Sequence, residues 1–203
     1  ISRLDTQSGM EVGRYHVCSD PSRTAVDLDG NVWVTCRGDG GVARILVDIP
    51  NCPDKDGSGT IETSQDADGN GKISAAEMLP KGKDECVQFI IQPPGASLQR
   101  AACVDKDNYA WVGDWNDMKF RKLDPADGSV LATIQLDCNP YGAAMDAEGI
   151  IWISGRGCSK LIRANPADGT SEQLAPPNEY FDPYGITVDP KGRVWVADCC
   201  GNN

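Results

Sequence analysis

Ile186-Thr187-Val188-Asp189-Pro190-Lys191-Gly192-Arg193-Val194-Trp195-Val196 is the stretch that decides the fold. Apolar residues flank an Asp-x-x-Gly turn on both sides, the pattern of two short strands joined by a tight reversal. The same string occurs as Ala143-Ala144-Met145-Asp146-Ala147-Glu148-Gly149-Ile150-Ile151-Trp152-Ile153. It occurs again as Ala102-Cys103-Val104-Asp105-Lys106-Asp107-Asn108-Tyr109-Ala110-Trp111-Val112 and as Thr24-Ala25-Val26-Asp27-Leu28-Asp29-Gly30-Asn31-Val32-Trp33-Val34. From Trp33 to Trp111, Trp152 and Trp195 the steps are 78, 41 and 43 residues. A period near forty is the mark of β-propeller blades. The chain is therefore expected to be all-β, and the one long step must hold an insertion.

A second unit follows the tryptophan strands: Phe120-Arg121-Lys122-Leu123-Asp124-Pro125-Ala126-Asp127-Gly128-Ser129-Val130, and Leu161-Ile162-Arg163-Ala164-Asn165-Pro166-Ala167-Asp168-Gly169-Thr170. Residues 1–17 carry the same two-strand pattern around an Asp/Gly turn. This unit reads as the outer half of a blade. The chain then begins with an outer half-blade, holds three blade units beginning near 21, 98 and 140, and ends with an inner half-blade from Tyr184. Two halves and three blades make four blade equivalents. Three arrangements satisfy that count: a segment of a larger ring of six or seven blades, a closed four-bladed ring whose last blade is shared by both ends, or self-assembly in which complementary terminal half-blades pair between chains.

Composition agrees and narrows the partners. The 203 residues are 40% hydrophobic and include 22 glycines and 13 prolines, enough for a packed core with many turns. A net charge of −11 argues against nucleic acid and anionic membrane, both of which select basic surfaces. No apolar run is long enough to cross a bilayer. Nine cysteines with a single histidine fit disulfides better than a transition-metal centre, and so an oxidising location: secreted, extracellular or periplasmic. The chain opens on Ile1 with no signal peptide, as expected where a leader has been removed or the chain belongs to a longer polypeptide.

The insertion spans residues 51–86, interrupts the propeller domain of residues 1–203, and carries the clearest chemistry. Asp66-Ala67-Asp68-Gly69-Asn70-Gly71-Lys72-Ile73-Ser74-Ala75-Ala76-Glu77 has the spacing of an EF-hand calcium loop. Side-chain oxygens stand at positions 1, 3 and 5 (Asp66, Asp68, Asn70). Gly71 makes the sharp turn at 6, Lys72 offers its carbonyl at 7, Ile73 is the apolar residue at 8, and Glu77 is the bidentate acid at 12. A hard cation needing six to eight oxygens calls for such alternation on a tightly curled loop. Ser74 and Glu77 also form a capping-box pair, which predicts a short exiting helix from Ser74 to Leu79, stopped by Pro80. Directly before it, Asp54-Lys55-Asp56-Gly57-Ser58-Gly59-Thr60-Ile61-Glu62-Thr63-Ser64-Gln65 repeats the pattern with Asp54, Asp56, Ser58 and Thr60 as donors. Gln65 replaces the acid at position 12, so this loop should be weaker or should borrow Glu62, Asp84 or Glu85. Long flanking helices are missing, which assigns calcium a structural rather than a sensing role.

Cysteine spacing predicts three bridges. Cys18 with Cys36 and Cys138 with Cys158 bracket the same blade segment, while Cys52 with Cys86 would staple the base of the insertion. Cys103, Cys199 and Cys200 remain, with a vicinal Cys199–Cys200 bridge as one arrangement and a partner beyond this chain as the other.

The motif Tyr184-Gly185-Ile186-Thr187-Val188-Asp189-Pro190-Lys191-Gly192-Arg193-Val194-Trp195-Val196-Ala197, with its sibling Pro140-Tyr141-Gly142-Ala143-Ala144-Met145-Asp146, resembles the blade repeat of NHL-type propellers. It is most similar to the virginiamycin B lyase-like group of bacterial secreted propellers. The resemblance implies architecture and leaves function to the sites on it. The lyase of that group implies metal-assisted elimination with a histidine base, and His16 is the only histidine here, so its catalytic residues do not carry over. Gluconolactonase-like propellers imply a channel metal held by Glu, Asn and Asp. The repeated Asp27, Asp105, Asp146 and Asp189 are more simply turn residues, and Arg37 and Arg156, after the tryptophan strands, are candidates for the channel mouth. The expectation is a secreted, calcium-binding propeller acting as a structural or binding module, with a channel-metal lyase or lactonase as the alternative.

Overall fold

The computed structural model describes residues 1–175 and 181–199. Three four-stranded antiparallel sheets follow one another as blades. Blade one comprises β3 (Pro21–Val26), β4 (Val32–Cys36), β5 (Val42–Ile45) and β6 (Val87–Ile91). Blade two comprises β7 (Gln99–Val104), β8 (Ala110–Asp114), β9 (Lys119–Leu123) and β10 (Val130–Gln135). Blade three comprises β11 (Pro140–Met145), β12 (Ile151–Gly155), β13 (Lys160–Asn165) and β14 (Thr170–Leu174). Strands β3, β7, β11 and β15 (Pro183–Val188) adjoin in that order, so the first strand of each blade is the inner one. The fold is a β-propeller.

At the ends stand two-stranded sheets: β1 (Ser2–Leu4) with β2 (Glu11–Arg14), and β15 with β16 (Val194–Asp198). Among the described residues these halves remain separate sheets, so the four-bladed ring closed by a shared blade is not formed. The segment after β2 packs instead on blade one, where Tyr15 and Val17 join Val34, Ala43 and Val87 in one apolar cluster.

The repeated aspartate explains why the string recurs. Asp105 accepts the backbone N–H groups of Asp107 and Tyr109 on one oxygen, and the Trp111 indole N–H on the other at 3.1 Å. Asp146 holds Glu148, Ile150 and Trp152 in the same way, and Asp189 holds Lys191, Arg193 and Trp195. One carboxylate thus closes the turn and fixes the indole, and in blade two the ring so held, Trp111, is buried between blades. Trp33 with Val112 and Leu123 joins blades one and two, and Trp111 with Ile151 and Ile162 joins blades two and three. Blade one departs from the rule: Asp27 receives Arg44 at 2.7 Å, and the buried Trp33 indole nitrogen has no hydrogen-bond partner. These aspartates are structural.

The three predicted disulfides, Cys18–Cys36, Cys52–Cys86 and Cys138–Cys158, are formed. Cys103 is a buried thiol in the cluster between blades two and three, and burial pushes its pKa up. The Cys199–Cys200 bridge involves Cys200, which lies outside the described residues.

Candidate metal sites and the axial pocket

The insertion leaves the propeller after β5 and returns at β6, its two ends stapled by Cys52–Cys86. Both loops curl in the same way around their first and third residues. In the first, Asp54 accepts the N–H groups of Ser58 and Gly59, and Asp56 accepts that of Ser58. In the second, Asp66 accepts Asn70 and Gly71, and Asp68 accepts Asn70. The glycines at positions 4 and 6 all have positive φ: 75° and 83° at Gly57 and Gly59, 72° and 82° at Gly69 and Gly71. That backbone is open to glycine and strained for other residues, and it turns alternate oxygens toward one centre.

Asp66, Asp68 and Glu77 bring a carboxylate oxygen each to within 4.8 Å of one another. Asp54, Asp56 and Glu85 do the same in the first loop. Glu77 accepts the N–H groups of Ala67 and Asp68, at loop positions 2 and 3. Glu85 accepts the equivalent groups of Lys55 and Asp56, and also that of Glu62. Glu85 therefore stands where a position-12 acid would stand, supplied from the far end of the insertion. Gln65 lines a cavity beside Met10, Glu11 and Tyr15. Of the other acids named for borrowing, Asp84 is tied to Ser64, while Glu62 accepts the hydroxyls of Ser58 and Thr60. Backbone donors hold Asp54, Glu77 and Glu85 below the usual carboxylate range, led by the N–H groups of Gly59, Ser74 and Glu62 respectively.

The exiting helix is absent, and residues 75–77 form a turn. The capping-box bond does form, from the Ser74 N–H to Glu77. The chain is then drawn away, because Leu79 donates its N–H to the Ser64 hydroxyl and Pro80 bars continuation.

Sequence spacing gave no sign of how the second loop docks. Its Gly71 carbonyl accepts the Glu11 N–H of β2, its Ile73 N–H donates to the Glu11 carboxylate, and Ile73 itself is buried. Glu11 also takes a two-pronged bond from Arg14 at 2.7 and 2.8 Å. Arg14 first, and the Ile73 N–H second, lower its pKa to about 2.

A different site lies where the inner strands begin. Each inner strand carries a β-bulge at the same place: between Pro21 and Arg23, Gln99 and Ala101, Pro140 and Gly142, and Pro183 and Ile186. A bulge takes a residue out of the ladder and re-aims its side chain. Arg100, Tyr141 and Tyr184 occupy three of these bulges and line one cavity of about 380 Å³. The residue after each second strand completes the wall: Arg37, Trp115 and Arg156. Arg37 and Arg156, the expected channel-mouth residues, thus both reach this pocket. His16 lines a separate cavity with Ile1, Arg14 and Met78.

No family model matches the chain, and no curated protein matches it. Among solved structures, it is similar to virginiamycin B lyase from Staphylococcus aureus, with 18% identity, a TM-score of 0.67, and coverage of 98% of this chain and 56% of that one. Hydrazine synthase from Kuenenia stuttgartiensis shows 10% identity and a TM-score of 0.60 over 90% of this chain and 43% of that one. A streptogramin B lyase shows 15% identity and a TM-score of 0.51 over 89% and 63%. The chain spans about half the length of the first of these. At such identity the likeness establishes the propeller architecture.

Proposed function

We propose that this chain is a secreted β-propeller binding module whose insertion is ordered by two calcium ions. The observation that carries the reading is the duplicate loop geometry, in which six carboxylate-bearing residues converge as two sets of three on backbones curled by glycine at matching positions. Asp66, Asp68, Asn70, Lys72 through its carbonyl, and Glu77 would hold one ion. Asp54, Asp56, Ser58, Thr60 through its carbonyl, and Glu85 would hold the other. Calcium would supply the positive charge that three converging anions need, and oxygen-only donor sets of this size suit a hard cation over a transition metal. The ion's role is structural, because a turn rather than a helix leaves the second loop, and nothing is built to swing open. Three disulfides fit an oxidising environment, and secretion accounts for them together with millimolar calcium.

Calorimetric titration of calcium into chelator-treated protein tests this. Two equivalents should bind; Glu77→Gln should remove one and Glu85→Gln the other, while Gln65→Glu in the Glu85→Gln background should not restore it. Calcium at a hundred times its dissociation constant should stabilise the fold by about 2.7 kcal/mol per site. Absence of binding, or a melting temperature unmoved by chelator, would refute the reading.

A further inference from the structure

The axial pocket gathers positive charge in a protein whose overall charge is −11. Arg37, Arg100 and Arg156 line it, and Arg23, the residue after the first bulge, approaches it, its guanidinium carbon 4.5 Å from the Tyr141 ring centre and 5.5 Å from that of Tyr184. Arg100 lies 4.1 Å from the Tyr141 centre, and Arg156 lies 5.2 Å from both rings. Tyr141 and Tyr184 sit 4.4 Å apart, with Trp115 at 6.1 Å from Tyr141. Two of these arginines have partners: Arg37 pairs with Asp20, and Arg156 with Asp182. Among the described residues no carboxylate pairs with Arg23 or Arg100.

Arg100 is the telling member. It is only 7% exposed, and its Nε has no hydrogen-bond partner. Burial, and then the nearby Arg23 and Arg37, lower its pKa. Burying a guanidinium next to like charges without a counter-ion is unfavourable unless something else compensates. Stacking on tyrosine faces offsets a part of it and leaves the Nε–H without a partner. Planar guanidinium forks match the paired oxygens of a carboxylate or phosphate.

We infer that the axial pocket binds a small oxyanion, a carboxylate or phosphate attached to an aromatic or apolar body, with Arg23 and Arg100 as its charge partners and Tyr141, Tyr184 and Trp115 as the wall for the body. The inference gives a ligand class to the binding-module reading and is independent of the calcium loops. The acidic exterior would retard such a ligand, so selectivity resides in the pocket alone and is sensitive to salt only over short range.

The test titrates benzoate, phenyl phosphate and the neutral benzamide into the full chain, followed by calorimetry and tryptophan emission. At least one anion should bind and benzamide should not, and the preferred anion distinguishes planar from tetrahedral head groups. Arg100→Met and Arg23→Met should each weaken that binding about 10- to 100-fold, the range of a lost charge-assisted bond. Arg163→Met, on an outer strand, should leave it unchanged. Should Arg100→Met fail to fold, Arg23→Met carries the test. Failure of both anions to bind, equal binding of benzamide, or binding unaffected by Arg23→Met overturns the inference. A failed calcium reading shows separately, as a melting temperature unmoved by chelator.

Discussion

Replacing Ile73 with alanine probes the joint between the second loop and the propeller. Ile73 is 1% exposed, and the two backbone bonds that flank it, Glu11 N–H to the Gly71 carbonyl and Ile73 N–H to Glu11, do not involve its side chain. The substitution therefore removes packing and leaves the hydrogen bonds in place. Three carbons leave a buried position at about 0.8 kcal/mol each, or about 2.4 kcal/mol in transfer free energy. A cavity of about 75 Å³ that failed to collapse would add about 1.8 kcal/mol at 24 cal/mol per Å³. The total, about 2.4 to 4.2 kcal/mol, corresponds to a fall in melting temperature of roughly 5–17 °C for a chain of this size. Thermal unfolding followed by circular dichroism reads it directly. Ile61, at the matching position of the first loop, is only partly buried against blade one, so Ile61→Ala should cost less. Ile73→Ala should also weaken calcium binding at the second loop selectively. A melting temperature within a degree or two of the parent would refute the docking argument.

Two further outcomes follow from the same region. The Glu11 pKa is depressed to about 2, so its contribution to stability is complete above the ordinary carboxylate pKa of about 4.3, shrinks as pH falls below that value, and is gone below about 2. Urea midpoints between pH 2 and 5 should show this loss, and Glu11→Gln should flatten that part of the curve; a parallel curve in the variant would refute the assignment. Removing Cys52–Cys86 by a double alanine substitution releases a loop spanning a separation of 34 residues, which chain entropy values at about 3.8 kcal/mol. Chemical denaturation should show a loss of that order, and an unchanged midpoint would show that the insertion is held by its docking alone.

Much of this was legible in the sequence because the signals are local. A step of six residues leads from each turn aspartate to its tryptophan, and in three of the four repeats the structure shows why: one oxygen holds the turn and the other holds the indole. The calcium-type loops were equally readable, since their geometry is set within twelve residues. Glu85 could be named only as one of three acids, because its approach to Asp54 depends on how the insertion folds back. The Ser74 helix was misread for a related reason: local capping was right, and a tertiary bond from Leu79 to Ser64 prevailed. The axial pocket was half-visible, through Arg37 and Arg156. Arg100, Tyr141 and Tyr184 lie just outside the repeated string as aligned, at bulges, and a period-two pattern gives no warning of a bulge. Placing the repeats in register from Pro21, Gln99, Pro140 and Pro183 would have shown that the next residue is Ser22, Arg100, Tyr141 and Tyr184.

That register bears on how such a molecule can change over time. A residue at a bulge has left the ladder, so exchanging its side chain disturbs little of the cross-strand pairing, while the aspartates that close the turns and the tryptophans of the second strands stay in place behind it. Three of the bulges thus offer an adjustable letter to the pocket and keep the frame separate. Arginine and two tyrosines are the present spelling. Another spelling on the same ring would recognise another ligand, and a library randomised at Arg100, Tyr141 and Tyr184 should keep its fold far more often than its preference.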